Sequence, residues 1–296
     1  MNLTAENYYT SEADIEYMSC SQYQGFLECE AKQLAKIHGR WEEEPSEALI
    51  VGNYFHTAFE SAEAHQKFCD EHFNKIFKSK VNAKTGEMTV TGKYAPYETA
   101  DRMIATAKRD PFIQKFINMQ GEHERIMTGE LFGVKWRIRI DKYVPDFFGS
   151  RLILDWKTTA NIYETKYNSA TKEHESFIDF YGYMTRAAVY AEIEKQRTGS
   201  SDDCELYIIA ISKQDPCDKE ILRLNGETRD RWDYELDKIS GKIQKIQAIK
   251  RGEFLPLKCG LCDYCRSIKQ ITGIISYSKL NPGFRGEREE DVSFAR

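Results

Sequence analysis

Residues 137–159, RIRIDKYVPDFFGSRLILDWKTT, constrain the fold more than any other stretch of this chain. Two runs of aliphatic, aromatic and basic residues flank the turn sequence PDFFG (145–149). A short turn makes its two strands neighbours, and successive side chains of a strand point to opposite faces. The segment therefore predicts two adjacent strands with an acid near the end of each, Asp141 on the first and Asp155 on the second.

The rest of the chain alternates between helical and strand patterns. Apolar residues at helical spacing predict helices within 13–39, 46–78, 97–118, 176–199 and 227–251. Period-two and continuous apolar runs predict strands at 123–133, 134–144, 151–159, 205–213 and 219–225. The polar segment 80–96, which contains two glycines, predicts a loop. This order predicts an α/β fold with a central mixed sheet flanked by helices.

Composition excludes few classes of function. The 296 residues are 41% hydrophobic, which suits a packed core, and no run of eighteen apolar residues predicts a membrane span. The N-terminus is acidic and polar, so we expect no signal peptide and a cytoplasmic location. The net charge of −5 decides little about nucleic acid, because only charges near the phosphates matter for binding.

The two acids suit a metal-dependent hydrolysis of phosphodiester bonds. Mg²⁺ takes oxygen ligands, commonly one or two carboxylates, and Asp141 and Asp155 could supply them. Lys157 shares a strand face with Asp155, so its ammonium could stabilise the transition state or position water. Trp156 points into the core on the other face, which leaves its backbone carbonyl available to a metal. The alternative is a surface ion pair at the strand ends.

Other segments carry residues that would complete such a site. His56 and Glu60 lie four positions apart on a predicted helix, so they share a face and His56 could add an imidazole ligand. Glu130 lies on the strand before that of Asp141 and is a further candidate ligand. The helix at 176–199 carries on one face a set of residues suited to a phosphate backbone or a stacked base, namely Tyr183, Arg186 and Tyr190.

These residues, in this order, resemble the PD-(D/E)XK nuclease superfamily, and in particular its RecB-like and RecE-like branch. The family's G-x-x-x-H-x-x-x-E motif is matched by Gly52, His56 and Glu60. Its I-D and D-x-K-T motifs are matched by Ile140-Asp141 and by Asp155, Lys157 and Thr158. The chain is similar over residues 1–270 to phage and prophage proteins of the exodeoxyribonuclease VIII type. Two departures are Arg186, where the family usually has glutamine, and Ile140, where the literal motif has proline.

The resemblance implies a restriction-endonuclease-like core and a Mg²⁺- or Mn²⁺-dependent DNA exonuclease. Its metal ligands would come from His56, Glu130, Asp141, Asp155 and the Trp156 carbonyl. It also implies resection of duplex DNA from 5′ ends, a RecT-like annealing partner, the cytoplasm of a bacterial host and the possibility of a homo-oligomer. The alternatives are a single-strand nuclease or endonuclease of the CRISPR-associated iron–sulfur type, and an inactive DNA-binding module.

A cysteine motif near the C-terminus indicates a second, structural centre. Cys259, Cys262 and Cys265 form a C-x2-C-x2-C pattern that suits an iron–sulfur cluster or zinc. The resemblance to AddB-type nucleases implies a 4Fe–4S cluster with Cys29 as the fourth ligand, and Cys20 is a nearby competitor. Such a centre would join the N- and C-terminal segments.

The predicted division of the chain follows from these motifs. A single nuclease domain spans residues 1–270. Within it we expect a helical segment at 1–45, a catalytic sheet and helix at 120–225, and the cysteine cluster at 255–268. Residues 271–296 form a polar tail.

Overall fold

The computed structural model describes residues 1–169, 171–225, 229–271, 273–274 and 276–277. The helices are α1 (Ser11–Glu16), α2 (Cys20–Glu28), α3 (Glu30–Ile37), α4 (Glu47–Glu60), α5 (Ala62–Glu71), α6 (Phe73–Ile76), α7 (Ala95–Arg109), α8 (Pro111–Asn118), α9 (Phe177–Phe180), α10 (Tyr183–Thr198), α11 (Arg229–Lys250) and α12 (Asp263–Ser267). The strands are β1 (Phe77–Val81), β2 (Met88–Lys93), β3 (Glu122–Leu131), β4 (Val134–Phe147), β5 (Ser150–Thr159), β6 (Lys166–Asn168), β7 (Glu173–Glu175), β8 (Glu205–Ser212) and β9 (Lys219–Arg223).

The central sheet has the strand order β3-β4-β5-β8-β9. Neighbouring strands are antiparallel except for β5 and β8, which are parallel and are joined by a crossover through α9 and α10. A parallel pair needs such a long connection, whereas the antiparallel pairs close with short turns. The predicted α/β fold with a mixed sheet flanked by helices is therefore confirmed.

Each face of the sheet packs against its own hydrophobic core. One core contains Ile153 of β5 together with residues of α2, α3, α10 and α11. The other contains Leu154 and Trp156 of β5 together with residues of α4, α7 and α8. Because side chains alternate along β5, Asp155 and Lys157 lie on the face that packs against α10.

Two tight turns connect the central strands. The first sets the register of β3 and β4, whereas an irregularity between Val144 and Phe147 shifts the register of β4 and β5. Phe132 and Gly133 connect β3 to β4, and Phe148 and Gly149 connect β4 to β5, with all four residues at positive φ. Two-residue hairpin turns with this backbone match the right-handed twist of the strands they join. The first turn sets Leu131 opposite Val134.

Strands β4 and β5 separate halfway along the sheet. Their pairing includes Lys142 with Leu154, and the next positions along the two strands are Asp141 and Asp155. Beyond this point the backbone of Met18 bridges to β4, accepting from the Arg137 N–H at 2.9 Å. Between the Lys142–Leu154 pair and the Met18 bridge the sheet has an opening, with Asp141 and Asp155 at its margin.

Several sequence expectations differ from the structure. The segment 80–96 is not all loop, because β1 and β2 form a hairpin whose residues are largely exposed and so carry no hydrophobic period. Strand β4 continues to Phe147, so its acid lies within the strand and not at its end. The predicted tail 271–296 falls outside the described residues, except at 271, 273–274 and 276–277.

A buried ion pair between β5 and α10 yields a test of the fold. Glu194, which is fully buried, accepts from Arg151 at 2.9 Å and from the Tyr143 hydroxyl at 2.7 Å. Removing one partner of a buried pair leaves a buried charge, so Glu194→Gln should lose about 3 kcal/mol of unfolding free energy in urea. Arg223→Gln, in an exposed pair with Glu205, should lose under about 1 kcal/mol. Equal losses of unfolding free energy in the two variants would contradict the assignment of Glu194 to a buried ion pair.

Candidate active site

Asp141 lies where the ladder between β4 and β5 ends. Its Oδ2 accepts a hydrogen bond from the backbone N–H of Trp156 at 2.9 Å and lies 3.0 Å from Nδ1 of His56. Burial raises the pKa of Asp141, but the nearby His56 and Lys157 outweigh burial and hold that pKa well below its ordinary range. The structure therefore brings His56 to Asp141 from α4, which packs on the face of the sheet opposite to α10.

Asp155 and Lys157 lie side by side on β5, as the alternation of the strand predicts. The Lys157 ammonium contacts Oδ2 of Asp155 and donates to the Trp156 carbonyl at 3.0 Å. Asp155 is 7% exposed, and its buried Oδ2 has no hydrogen bond of good geometry within the described residues. The Trp156 ring points the other way and stacks on Phe59 with ring centroids 4.0 Å apart.

Helix α10 brings its three predicted residues to the same opening. Nη1 of Arg186 lies 3.7 Å from Oδ1 of Asp155, and the Tyr183 ring centroid lies 5.4 Å from the Lys157 ammonium. The Tyr190 hydroxyl donates to the backbone carbonyl of Arg139 at 3.0 Å, on the stretch of β4 that β5 has left. Tyr190 therefore closes the base of the opening, while the other two residues flank the acids.

The structure does not bring Glu130 to this site. Glu130 pairs with Lys135 near the β3–β4 turn, and its side chain is exposed. The residue across from Asp141 is Glu124, because the two-residue turn fixes the pairing Arg125 with Ile140 and His123 with Lys142. Counting back from the turn would have found it, since a two-residue hairpin sets its register from the loop alone.

Glu124 is in an unusual environment for a carboxylate. It adopts a positive φ of 53° and contacts Arg139 of the neighbouring strand. Burial and the charge of Asp141 raise the pKa of Glu124 to about 7, against the opposing influence of Arg139. Strained backbone and perturbed carboxylates are enriched at functional sites, and the strand register brings Glu124, not Glu130, beside Asp141.

These residues fit a divalent cation. The 3.0 Å between Nδ1 of His56 and Oδ2 of Asp141 matches two neighbouring ligands of an octahedron with bonds of ~2.1 Å. Oδ2 of Asp155 is a buried acceptor whose ion pair with Lys157 lacks good hydrogen-bond geometry, and such an acceptor is one that a cation satisfies. The acidic groups do not form a set within 4.8 Å of one another, but an ion that keeps several waters needs no closed cage.

The four predicted cysteines lie together at a second site. Their sulfur atoms are all within 4.8 Å of one another, and this is the one such set of candidate metal ligands in the described residues, namely Cys29, Cys259, Cys262 and Cys265. Cys29 lies between α2 and α3, and its sulfur is 3.6 Å from the sulfur of Cys265. Cys20, the competing candidate, is instead part of the core beneath α10.

The backbone around one of these sulfurs, that of Cys259, favours the thiolate. The N–H groups of Leu261 and Cys262 point to the sulfur of Cys259 at 3.5 and 3.3 Å. These bonds outweigh burial and lower the pKa of Cys259 to about 6. Around a single Zn²⁺ with bonds of ~2.3 Å, tetrahedral sulfurs lie ~3.8 Å apart. In a 4Fe–4S cluster each thiolate binds a different iron, so the sulfurs are spaced more widely. The observed spacing therefore fits one tetrahedral ion better than the cluster.

Comparison with known proteins gives two informative matches. Residues 19–268, which include the acidic site and all four cysteines, match the family described as a PDDEXK-like domain of unknown function (DUF3799). The chain is similar to the crystal structure of a "putative exonuclease" from Eubacterium rectale, with 34% identity, a TM-score of 0.82, and coverage of 96% of this chain and 99% of that one. The structure of SSO0001 matches at 13% identity with a TM-score of 0.31, over 83% of this chain and 97% of the other, which is too distant to support an argument. No curated protein matches the chain.

The raised pKa of Glu124 predicts a pH dependence of stability. The folded protein keeps a proton up to about pH 7 that the unfolded chain, at its ordinary pKa of 4.5, has released, so stability falls as pH rises through this interval. Glu124→Gln removes the effect. Its unfolding free energy relative to that of the wild type should therefore rise by about 1–3 kcal/mol between pH 4.5 and 8, measured by denaturant unfolding in EDTA. The exposed Glu122→Gln is the matched control. Parallel pH curves for wild type and Glu124→Gln would refute the assignment.

Proposed function

We propose that this chain, which belongs to the PDDEXK-like family DUF3799, is a divalent-metal-dependent deoxyribonuclease that hydrolyses phosphodiester bonds. The observation that carries the proposal is the meeting of Asp141, Asp155 and Lys157, with His56, at the opening in the sheet. Carboxylates, an imidazole and an ammonium at one point are the groups that metal-assisted phosphoryl hydrolysis needs. Their retention argues against the inactive DNA-binding module.

Each residue has a chemical role in this mechanism. Asp141, Asp155 and His56 would hold Mg²⁺ or Mn²⁺, which polarises the phosphate and makes bound water more acidic. Glu124 lies across from Asp141 and contributes a further oxygen at the same edge. The Trp156 carbonyl, a predicted ligand, accepts from Lys157 and so helps to orient that side chain.

The positive groups stabilise charge that develops on the phosphate. The Lys157 ammonium, held against Asp155 and the Trp156 carbonyl, is placed for the equatorial oxygens of the transition state. Arg186 adds a second positive charge beside Asp155. A guanidinium only donates, so Arg186 cannot act as a hydrogen-bond acceptor, as a glutamine at this position could.

The class of nuclease rests on more distant support. The name of the Eubacterium rectale protein supports an exonuclease. Action from 5′ ends, a role in phage recombination, a RecT-like partner and a homo-oligomer rest on the resemblance of the sequence alone.

None of the described helices has the length and apolar character needed to cross a membrane.

Substitution of the lysine tests the proposed chemistry. Lys157→Ala should lower the rate of Mg²⁺-dependent degradation of linear duplex about 10²–10³-fold, since it removes a charge that acts in the transition state. Asp155→Asn should abolish activity and weaken Mn²⁺ binding, followed by electron paramagnetic resonance. Lys219→Ala, on edge strand β9, is the matched lysine control.

Two results would contradict the proposal. One is full activity of Lys157→Ala, and the other is wild-type cleavage in the presence of EDTA. Covalently closed circular duplex should resist digestion if the enzyme needs an end, whereas its cleavage would favour the endonuclease alternative. Labels at the 5′ and 3′ ends of a linear duplex then report the direction.

We further propose that the four cysteines hold a structural metal centre that joins α2 and α3 to the C-terminal segment. The resemblance to AddB-type nucleases supports the predicted 4Fe–4S cluster, and the sulfur spacing supports the zinc alternative. In either case the centre closes a loop of almost the whole domain, which lowers the entropy of the unfolded chain.

Metal analysis separates these candidates. Protein purified without oxygen should carry either one zinc and no colour, or four irons with visible absorption. Cys29→Ser should lose the metal and lower the melting temperature, whereas Cys217→Ser, outside the site, should do neither. Wild-type protein without bound metal, or equal effects of the two variants, would refute the centre.

A further inference from the structure

A row of aromatic side chains leads away from the catalytic lysine. The Tyr183 ring, 5.4 Å from the Lys157 ammonium, lies 6.1 Å from the Tyr181 ring, and Tyr181 lies 5.2 Å from Phe180. The ammonium of Lys166, from β6, lies 4.7 Å from the centre of the Tyr181 ring. We call Tyr183, Tyr181, Phe180 and Lys166 the aromatic track.

The track is exposed where it leaves the site. Tyr181 is 45% and Phe180 37% exposed, and Tyr183 is half-buried. An aromatic cluster that only served packing would bury these rings, because each carries a large apolar surface. The exposed rings therefore leave a surface on which a planar ligand could stack.

The backbone holds the track in one arrangement. Gly182 adopts a φ of 66° between the two tyrosines and so turns the chain into α10. Gln24 of α2 donates to the Tyr181 carbonyl at 3.1 Å, and a Cβ on Gly182 would collide with the Gln24 amide. A surface fixed in this way loses little entropy when a ligand binds.

Aromatic rings in a row with an ammonium group near each end match the chemistry of a nucleic-acid strand. Bases stack on aromatic rings without regard to sequence, and lysines neutralise the phosphates between them. Bases inside a duplex have both faces covered by neighbouring pairs, so rings in a row can stack on successive bases only where these are unpaired. The lysine at the inner end of the track is also the group we place at the scissile phosphate.

We propose that the aromatic track binds unpaired nucleotides next to the scissile phosphate, so that the substrate is single-stranded DNA or the frayed end of a duplex. The proposal rests on the proposed function, since that function puts the scissile phosphate beside Lys157. It adds the requirement that the strand be unpaired as it leaves the metal site over Tyr181 and Phe180.

Binding without cleavage tests the track. Fluorescence anisotropy in EDTA, at fixed salt, gives the affinity of the full chain for a labelled 12-nucleotide oligo(dT) and for a blunt GC-rich duplex. Tyr181→Ala should weaken oligo(dT) binding about tenfold, within the range measured for loss of one stacking ring, and change duplex binding less than threefold. Tyr181→Phe keeps the ring but loses the hydroxyl that Lys166 contacts, and should bind as wild type.

Two controls make the result specific. Phe148, 90% exposed at the β4–β5 turn, is an aromatic side chain outside the track, and Phe148→Ala should change neither affinity. Tyr181→Leu keeps an apolar side chain without a ring and should behave like Tyr181→Ala. Circular dichroism melting checks that each variant is folded.

Several outcomes would overturn the proposal. Wild-type oligo(dT) affinity in Tyr181→Ala would mean that the surface binds something else, such as a protein. Equal loss in Tyr181→Phe would assign the effect to the hydroxyl contact, and equal loss for the duplex would make the surface a general phosphate contact. A protein that binds oligo(dT) through Tyr181 yet cleaves nothing with Mg²⁺ or Mn²⁺ would refute the proposed function but not the track. A protein that cleaves DNA with an indifferent Tyr181 would refute the track alone.

Discussion

The separation of β4 from β5 at Asp141 is the constraint on which the site depends. A sheet cannot open without leaving backbone groups unpaired, and buried unpaired groups are costly. Here side chains and a neighbouring segment replace the missing ladder. Asp141 accepts from the Trp156 N–H, the Tyr190 hydroxyl donates to the Arg139 carbonyl, and Met18 pairs with β4 further along. The opening is therefore stable before any substrate arrives.

The side chains around the opening also bring charged groups together there. Each acid has a basic neighbour, with His56 at Asp141, Lys157 at Asp155 and Arg139 at Glu124. Partly buried carboxylates need such partners, because isolated ones would be desolvated without compensation. The pairs come from both faces of the sheet and from three strands, so both cores must form before the charges can meet.

The cysteine site joins two segments that are far apart in the sequence. Cys29 and Cys265 are 236 residues apart, yet their sulfurs are in contact. Around them the Leu257 N–H donates to Glu30 and the Ala31 N–H to the Leu257 carbonyl, so the C-terminal segment docks on the start of α3 by its backbone as well. Helix α2, whose C-cap is Cys29, also carries Gln24 to the aromatic track. Helix α2 thus connects the cysteine site with the aromatic track.

The sequence by itself determined what depends on neighbouring residues. Alternation along β5 put Asp155 and Lys157 on one face and Trp156 on the other, and the cysteine spacing grouped three thiols. Only the tertiary structure decided which distant residues join them. It placed Glu124, and not the predicted Glu130, across from Asp141, and it brought the predicted His56 to Asp141 and the predicted Cys29 to the other three cysteines. The hairpin β1–β2 escaped prediction for a related reason, since its exposed strands carry no burial pattern. Local geometry is set by φ, ψ and side-chain period, whereas proximity across many residues follows from strand register and helix packing.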